Sequence, residues 1–508
     1  MTETGRITLD GVSFSYRADR SVEANDVFGV AGTETTAPVE PKRGVSGITM
    51  NCAPGSLTVL CGPSGSGKST VLRLINGLAP NFHPGDVSGT VLVSGADMPT
   101  TPLAEVGRLS ATVFQNPRTQ FFTSTVTTEL AFTLENFGVA PPEIRERVAT
   151  AADQCGTSGL LGQKLSTLSG GQLQRVACTC AVVSGVPVLL LDEATSNLSP
   201  QAIDELSDLL VELKAEGTTI ITAEHRLHHL RDLADEVYYL RDGRIEHHFT
   251  GQEFFDLDEV TRRALGLRSL TRPTPPNPTA DPHSPDTTEG LELRDIRFSY
   301  GKNPVLDIDR MVFPAGAITG LIGPNGVGKT TLARLICGLE KPARGGRITL
   351  AGKTLSARAR AAAGYIVMQD TGRQLFADTV LDEVTLGTPG DHDAAELLAA
   401  LGLADTASRH PLSLSGGQRQ RLVIATALAQ KKKVYIFDEP TSGVDLAHLE
   451  AIAAKLRELA DAGAVVIVIT HDAELISACC DRVIELTAPR GTVPTHGTHP
   501  NQSKENHP

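Results

Sequence analysis

Apolar runs of strand length occur in matching pairs, one member in each half of the chain. Leu57–Cys61 and Ile318–Ile322 are mostly apolar, and each leads into a glycine-rich turn. After each turn, apolar residues recur at helical spacing, over Val71–Leu78 and Leu332–Leu339. Since continuous apolar runs are typical of strands buried on both faces of a parallel sheet, the pattern predicts two copies of a strand, loop and helix unit.

A second pair of apolar runs ends in two acidic residues. These runs read VLLLDE at Val188–Glu193 and VYIFDE at Val434–Glu439. They predict buried strands that carry carboxylates to one edge of a sheet. Acids that only cap a following turn are the alternative interpretation.

The two halves repeat their motifs at the same spacing. Ser169 precedes Asp192 by 23 positions, and Ser415 precedes Asp438 by the same 23 positions. Length alone allows three or more domains in 508 residues. The repeat instead predicts two large units that each bury their own core.

Composition sets the domain boundaries. Six prolines between residues 273 and 285 predict a semi-extended linker. We therefore expect a first domain over residues 1–268, a linker over 269–289, a second domain over 290–488 and a disordered tail over 489–508. The first half has extra residues at 17–43, which we expect to form a surface loop between two strands.

The glycine-rich turns match the pattern of a phosphate-binding loop. They read GPSGSGKST at Gly62–Thr70 and GPNGVGKTT at Gly323–Thr331, and both fit G-x-x-x-x-G-K-[ST]. In such a loop, backbone N–H groups point at the phosphates. Lys68 and Lys329 are then expected to reach the β- and γ-phosphates.

Composition also narrows the classes of function. A formal net charge of −13 predicts repulsion from a polyanion, so no nucleic-acid partner is expected. The eight cysteines show no C-x-x-C spacing and are expected to be small core residues in a reducing compartment. No secretion signal is visible, and the apolar runs are too short to cross a membrane. We expect a cytosolic protein that depends on a partner for any membrane spans.

Two further strings complete the pattern, LSGGQLQR at Leu168–Arg175 and LSGGQRQR at Leu414–Arg421. Each places a serine and two glycines at the start of a helix, where N–H groups and the helix dipole favour an anion. Phosphate loop, LSGGQ and acid-terminated strand together resemble ATP-binding-cassette (ABC) ATPases over nearly all of both units. The resemblance implies an α/β fold with two tandem ABC ATPase domains. Each would have a RecA-like, mostly parallel sheet core, an antiparallel β subdomain and a helical subdomain.

The resemblance also implies ATP and Mg²⁺ as ligands, with the two halves pairing head to tail within the chain. Each ATP would lie between the phosphate loop of one half and the LSGGQ string of the other. The implied contacts in site one are Tyr16, Gly62, Pro63, Ser64, Gly65, Ser66, Gly67, Lys68, Ser69 and Thr70, facing Ser415, Gly416, Gly417 and Gln418. Those in site two are Tyr300, Gly323, Pro324, Asn325, Gly326, Val327, Gly328, Lys329, Thr330 and Thr331, facing Ser169, Gly170, Gly171 and Gln172.

Hydrolysis is implied to use a second group of residues. The implied metal ligands are Ser69, Gln115, Asp192, Thr330, Gln369 and Asp438. The implied catalytic groups are Glu193, Glu439, His225, His471, Gln115 and Gln369, with the two glutamates as general bases. Tyr16 and Tyr300 match the adenine-stacking aromatic of the family, and a plain strand-end tyrosine is the alternative.

One position departs from the family pattern. The loop after the catalytic acid usually carries Asp, as Asp445 does in SGVD, but the first half has Ser199 in SNLS. Ser199 precedes Pro200 and a helical pattern, so it suits an N-cap. Either the change is a cap replacement, or the two sites hydrolyse ATP unequally.

The residues after each predicted glutamine indicate the kind of transporter. Both halves contain the pattern Q-[LF]-F-x-x-T-V, within Phe114–Phe132 and Met368–Gly387. It resembles the ATPases of energy-coupling-factor importers, which take up vitamins and transition-metal ions. That resemblance implies two partners, a transmembrane coupling protein and a small substrate-binding membrane protein, and a place on the cytoplasmic face of the membrane. Phe121, Phe122, Leu375 and Phe376 could instead be core of the helical subdomain.

Two other classes of tandem cassette remain as alternatives. Sugar-importer ATPases are the nearer one, although their second site often departs from the full motif set. Ribosome-associated translation factors are the other, but these carry a long charged linker, whereas this linker is short and proline-rich.

Overall fold

The computed structural model describes residues 3–17, 43–196, 198–274, 289–301, 303–368, 371–388, 394–414 and 416–489. The chain divides into two compact units, Met1–Arg272 with Gly443–Ala447 and Pro273–Ser442 with His448–Pro508. Two predicted site residues, Gln369 and Ser415, lie outside the described residues. So do most of the 17–43 segment, most of the linker and nearly all of the tail.

The first unit contains two sheets. Its strands are β1 Ile7–Tyr16, β2 Arg43–Cys52, β3 Leu57–Cys61, β4 Gly85–Val93, β5 Ala96–Asp97, β6 Ser110–Val113, β7 Val188–Asp192, β8 Thr219–Ala223, β9 Glu236–Arg241 and β10 Arg244–Thr250. The order β2-β1-β4-β5 forms an antiparallel sheet. The order β10-β9-β3-β8-β7-β6 forms the central sheet, which is parallel except for the edge hairpin β9-β10.

The helices of this unit pack against the sheets or form a separate layer. They are α1 Lys68–Ile75, α2 Leu78–Asn81, α3 Leu103–Val106, α4 Val126–Asn136, α5 Pro141–Gln154, α6 Gly170–Ser184, α7 Pro200–Ala215, α8 Gly251–Phe255 and α9 Glu259–Ala264. Helices α4, α5 and α6 bury a core of their own, which includes Leu130, Val148 and Val176. This layer is the helical subdomain that the sequence predicted.

The second unit repeats the plan, although its described residues include no counterpart of the edge hairpin β9-β10. Its strands are β11 Gly290–Tyr300, β12 Asn303–Pro314, β13 Ile318–Ile322, β14 Arg347–Leu350, β15 Lys353–Thr354, β16 Gly364–Val367, β17 Val434–Asp438, β18 Val465–Ile469 and β19 Arg482–Glu485. Its helices are α10 Lys329–Ile336, α11 Ala357–Ala363, α12 Val380–Thr385, α13 Ala394–Ala400, α14 Gly416–Ala429, α15 Leu446–Asp461 and α16 Ala473–Cys479. The sheet β12-β11-β14-β15 is antiparallel, and β16-β17-β18-β13-β19 is parallel.

Burial explains why the apolar runs are the central strands. In β3, the neighbours Val59 and Leu60 belong to two different core clusters, because alternate side chains point to opposite faces of the sheet. Both faces are therefore covered, which is the condition under which a strand loses its polar alternation. The observed bounds of β3 and β13 equal the predicted runs. The predicted fold class is confirmed.

Two other features bear on the sequence predictions. All eight cysteines are free thiols, six of them buried and two partly exposed. Burial raises the pKa of Cys178 to about 12, as expected for a small core residue rather than a reactive thiol. Among the described residues, no helix is long and apolar enough to cross a membrane.

Candidate active site

The phosphate loop of the first unit connects β3 to α1 through a backbone that requires glycine. Gly62 has φ 131°, and a Cβ there would lie 2.0 Å from the carbonyl oxygen of Leu240. Gly67 has φ 103° and occupies the N-cap of α1. A side chain at either position would strain or displace the loop, so these glycines let it pass close to neighbouring backbone.

Lys68 is buried at the base of this loop. Its Nζ atom donates hydrogen bonds of 2.9 Å to the carbonyl oxygens of Gly62 and Pro63. Burial lowers the pKa of Lys68, while the nearby carboxylates of Glu193 and Asp192 oppose that shift. The ammonium is thus held inside the turn whose N–H groups would face a phosphate.

A hydroxyl and a carboxylate meet beside the lysine. Ser69 Oγ donates a 2.9 Å hydrogen bond to Asp192 Oδ1 at the end of β7. Burial and the neighbouring charge of Glu193 raise the pKa of Asp192 to about 6, although Ser69 and two cations oppose this. A divalent cation would relieve the same burial cost, and oxygen donors of this type suit Mg²⁺. The pair therefore fits the predicted metal site.

Glu193 lies next to Asp192 in an unusual backbone conformation. Its φ is 50°, in the left-handed region that non-glycine residues rarely adopt. Gln115 Nε2 donates a 2.6 Å hydrogen bond to Glu193 Oε2, and His225 Nε2 lies 3.4 Å from Glu193 Oε1. Burial first, then the charge of Lys68, lowers the pKa of His225. The structure thus brings together three residues that the sequence placed far apart.

Tyr16 is fixed by its hydroxyl to the helix that follows the loop. The Tyr16 hydroxyl shares a 2.9 Å hydrogen bond with Thr70 Oγ1 and accepts another from Arg73 Nη1 at 3.0 Å. Its ring packs edge-on against Phe14 and His83. Tyr16 therefore lies beside the phosphate loop, where the prediction requires an aromatic ring.

The second unit has the same loop with a different neighbour. Lys329 Nζ donates to the carbonyl oxygens of Gly323 at 2.6 Å and Pro324 at 3.1 Å. It also lies 3.3 Å from His471 Nε2, which is 3.1 Å from Asn325 Oδ1. His471 therefore contacts the loop here, whereas in the first unit its counterpart His225 lies beside Glu193.

The hydroxyl–carboxylate pair and the second carboxylate of the first unit recur in the second unit. Thr330 Oγ1 donates a 2.7 Å hydrogen bond to Asp438 Oδ2, and burial raises the pKa of Asp438. Glu439 has φ 53° and accepts a 3.0 Å bond from Thr470 Oγ1. Tyr300, the counterpart of Tyr16, is 48% exposed and packs edge-on against Phe298.

The LSGGQ serine of the first unit forms a complete helix cap. Ser169 Oγ accepts a bond from Gln172 N, and Gln172 Oε1 accepts one from Ser169 N, so that α6 begins with a capping box. Both Ser169 and Gly170 are exposed. In the second unit, α14 begins at Gly416.

Two contributors near the first site were not predicted. Arg73 binds the Tyr16 hydroxyl, and Glu224 is a fully buried carboxylate that accepts bonds from Thr195 N at 3.0 Å and Thr195 Oγ1 at 2.8 Å. Burial raises the pKa of Glu224 to about 8. An acid directly after an apolar strand, in ITAEHR, is the signal that could have found Glu224.

Each unit thus assembles a buried ammonium, a hydroxyl–carboxylate pair and a second carboxylate around one glycine-rich turn. The turn and ammonium suit a polyphosphate, and the hydroxyl–carboxylate pair suits a divalent cation. The second carboxylate can accept a proton from water. The arrangement is chemically equipped for hydrolysis of a nucleoside triphosphate.

Comparison with known proteins agrees with this chemistry. The family described as ABC transporter matches residues 45–196 and 306–442. A protein of Treponema denticola, provisionally named an ABC transporter ATP-binding protein, is 38% identical over 95% of this chain and 95% of its own. One from Bacillus subtilis, provisionally named HMP/thiamine import ATP-binding protein YkoD, is 29% identical over 94% of this chain and 89% of its own. A structure of ribosome-bound archaeal Pelota and ABCE1 has a TM-score of 0.61 at 22% identity, covers 85% of this chain and 73% of that chain, and shows the fold alone.

Proposed function

Because the chain belongs to the ABC transporter family and is an ATP hydrolase that uses Mg²⁺, we propose that it energises an importer of the energy-coupling-factor type. Its cargo would be a vitamin, a vitamin precursor or a transition-metal ion. The proposed partners are a transmembrane coupling protein and a small substrate-binding membrane protein, which would hold this chain at the cytoplasmic face.

Hydrolysis in this proposal uses the same residue roles in both units. Lys68 and Lys329 would bind the terminal phosphates, and Mg²⁺ would neutralise their charge during transfer. Glu193 and Glu439 would accept the proton of the attacking water. The 2.6 Å bond from Gln115 would orient Glu193 for this step. Each ATP would be completed by the LSGGQ string of the other half.

The observation that carries the importer proposal is the structure of the Q-[LF]-F-x-x-T-V pattern. In the first unit, Gln120 Oε1 accepts a 3.0 Å bond from Phe114 N, and Thr125 caps α4. Phe121 packs partly buried against the core, and Val126 is fully buried. Each of these positions therefore has a structural role.

The second unit assigns the same roles to the same positions. Gln374 Oε1 accepts a 2.7 Å bond from Met368 N, Thr379 caps α12, and Leu375 and Val380 are buried. The agreement between the two copies indicates that the pattern encodes one defined local structure.

One position of the pattern is mostly exposed in both units, although the ring of Phe122 also stacks on that of Phe132. Phe122 and Phe376 are each 77% exposed, although an exposed phenylalanine gains nothing from burial. A buried carboxylate holds each one outward, since Glu129 accepts bonds from Phe122 N and Glu383 accepts one of 2.7 Å from Phe376 N. The alternative that these two phenylalanines are core residues is wrong, whereas it is right for Leu375.

Exposed aromatic side chains on a fixed backbone are typical anchors for a partner. Two equivalent anchors, one in each unit, suit a partner that meets both ATPase units. The relative named for HMP/thiamine import supports a vitamin-related cargo. These points favour an importer over the ribosomal alternative.

The test is affinity purification of the full chain from detergent-solubilised membranes, with Phe122→Ala and Phe376→Ala combined. We expect a multi-span membrane protein to co-purify with the unmodified chain. Loss of two aromatic anchors should reduce its yield by about 10-fold or more. ATP hydrolysis by the isolated variant should be unchanged, because neither phenylalanine belongs to an ATP-site motif.

Phe82→Ala is the matched control, since Phe82 is 70% exposed and lies outside the pattern. It should leave co-purification unchanged. Equal yields from the double variant and the control would contradict the proposed contact. If ribosomes co-purify and no membrane protein does, the importer proposal is wrong and the translation-factor alternative takes its place.

A further inference from the structure

A cleft opens in the first unit, away from the phosphate loop, between the C-terminal end of α5 and the helices α6 and α7. Its volume is about 320 Å³. The apolar part of its lining includes Cys155, Cys178, Leu206 and Leu209, all of which are nearly buried. A cleft of this size and lining suits the apolar body of a small organic molecule.

A single amide in the lining lacks a partner. Gln174 is 1% exposed and lines the cleft, and neither its Nε2 nor its Oε1 atom has a hydrogen-bond partner among the described residues. A buried amide without partners carries a free-energy cost. A ligand that offers both a donor and an acceptor would remove that cost.

The rim of the cleft is acidic. Asp153, Glu205, Asp208 and Glu212 line it together with one cation, Arg175. Arg175 is already paired with Glu205 at 2.8 Å. Within the described part of the chain, no ion pair engages the other three carboxylates. A cationic group at the rim would therefore meet uncompensated negative charge.

The second unit provides an internal comparison, because its helices keep the same register with all positions 246 higher. There the counterpart of Gln174 is Gln420, whose Nε2 atom donates a 2.8 Å bond to the carbonyl oxygen of Glu439. The same amide is thus satisfied in one unit and unpartnered in the other. The LSGGQ fold does not by itself require an unpartnered amide.

The apolar lining also differs between the two units, and the first unit has the smaller residues. Cys155, Cys178 and Ala202 of the first unit correspond to the larger Leu401, Ile424 and His448 of the second. His448 contacts Arg421, the counterpart of Arg175. At the rim, three of the four acids are replaced by alanine, at residues 399, 451 and 454. The two units therefore differ in three properties of this region. These are the size of the lining residues, the hydrogen bonding of the glutamine amide and the number of acidic residues at the rim.

We propose that this cleft of the first unit binds a small organic cation, in which an ammonium group is joined to an apolar or aromatic body. The body would occupy the apolar lining, a polar group of the ligand would bond to Gln174, and the ammonium would lie among the rim carboxylates. This site is separate from the ATP sites and does not depend on the importer proposal.

The test uses isothermal titration of the full chain with tryptamine, in saturating Mg²⁺-ADP so that the ATP sites are filled. Tryptophol, which replaces the ammonium with a hydroxyl at nearly the same shape, is the neutral comparison. We expect saturable binding of one tryptamine per chain and at least fivefold weaker binding of tryptophol. Asp208→Asn combined with Glu212→Gln should weaken tryptamine binding about fivefold.

A second variant closes the cleft with the residues of the other unit, Cys155→Leu with Cys178→Ile and Ala202→His. It should abolish binding while thermal unfolding stays cooperative. Asp204→Asn is the matched control, because Asp204 is an exposed acid of α7 that pairs with Arg272 and does not line the cleft. If the closed variant fails to fold, tryptamine binding to the variant with Asp208→Asn and Glu212→Gln decides whether the proposal holds. Equal affinity for tryptamine and tryptophol, or no saturable tryptamine binding, would overturn the proposal.

Discussion

The residue before His225 in the first unit and its counterpart before His471 in the second distinguish the two sites most clearly. In the first unit it is Glu224, a buried carboxylate that accepts both bonds offered by Thr195. In the second it is Thr470, whose hydroxyl donates to Glu439. The same position of the repeat therefore binds Thr195 in one unit and Glu439, a proposed general base, in the other.

Replacing Glu224 with Gln should stabilise the protein, and the gain should depend on pH. Burial raises the pKa of Glu224 to about 8, well above its value in an unfolded chain. The folded state therefore holds this proton more tightly, so that the acid weakens folding progressively as the pH rises from about 4.5 to 8. An amide in the same place can accept the bond from Thr195 N through its oxygen and donate from its nitrogen to Thr195 Oγ1, and it has no proton to lose.

Thermal unfolding of Glu224→Gln and the unmodified chain, measured at several pH values, checks this. The difference in unfolding temperature should be small near pH 4.5, grow up to about pH 8 and then stay constant. Glu236→Gln, at a partly exposed acid, serves as the control. A difference that is the same at every pH would contradict a raised pKa.

Sequence reasoning was strongest where the backbone itself makes the site. The glycines of the phosphate loop and the acids after β7 could be placed because their residue types are required by local geometry. It missed Arg73, whose bond to Tyr16 forms only in the folded unit, and it missed Glu224, whose position after a strand is visible but whose bonds to Thr195 are not. It also treated Tyr16 and Tyr300 as equivalent, although only Tyr16 has its hydroxyl bonded to Thr70 and Arg73 among the contacts described.

At the scale of elements, helix starts explain the one departure from the family pattern. Ser199 Oγ accepts a 3.3 Å bond from Ala202 N and caps α7, with Pro200 at the first helical position. This is the N-cap that the sequence predicted. The cap alone accounts for the presence of serine, while the question of unequal hydrolysis stays a prediction.

Ser199→Ala should therefore lower the free energy of unfolding by about 1 kcal/mol, because α7 loses its cap. Ser199→Asp should preserve it, since Asp also caps and favours the helix dipole. Chemical denaturation of the first unit checks both. Ser356→Ala, which removes the cap of α11, is the matched control for a helix cap outside the ATP-site motifs. If Ser199→Asp also raises ATP hydrolysis, the departure is more than a cap replacement.

The central strands were predictable and the helical layer was less so. Runs such as VLLLD are buried on both faces of the sheet. Such strands can be recognised in the sequence because their residues are continuously apolar. The helices α4, α5 and α6 are partly polar, and their core forms only when they pack together. The cleft beside α6 could therefore not be predicted from the sequence. The small residues that line it become visible once the sequences of the two units are aligned.

For the whole molecule, the duplicated motif sets predict two working ATP sites. Glu193→Gln and Glu439→Gln should leave ATP binding intact and slow hydrolysis at the affected site by about 10²-fold, because an amide keeps the shape and cannot accept the proton. In each unit the amide oxygen can still accept the bond now made to the glutamate, from Gln115 or from Thr470.

Titration with a non-hydrolysable ATP analogue, followed by single-turnover hydrolysis, checks this prediction. Binding should approach two analogues per chain in the unmodified protein and in both variants. Glu135→Gln, at an exposed acid of α4, should change neither measurement. Saturation well below one analogue per chain would contradict two sites in one molecule.

The left-handed backbone at Glu193 and Glu439, the two acids proposed as general bases, has a consequence for stability. Both residues adopt φ near 50°, a conformation that costs a side-chain-bearing residue about 1 kcal/mol and glycine almost nothing. Glycine at either position would therefore be expected to raise the free energy of unfolding while removing the carboxylate. Each unit thus holds its carboxylate in place at a local cost in stability.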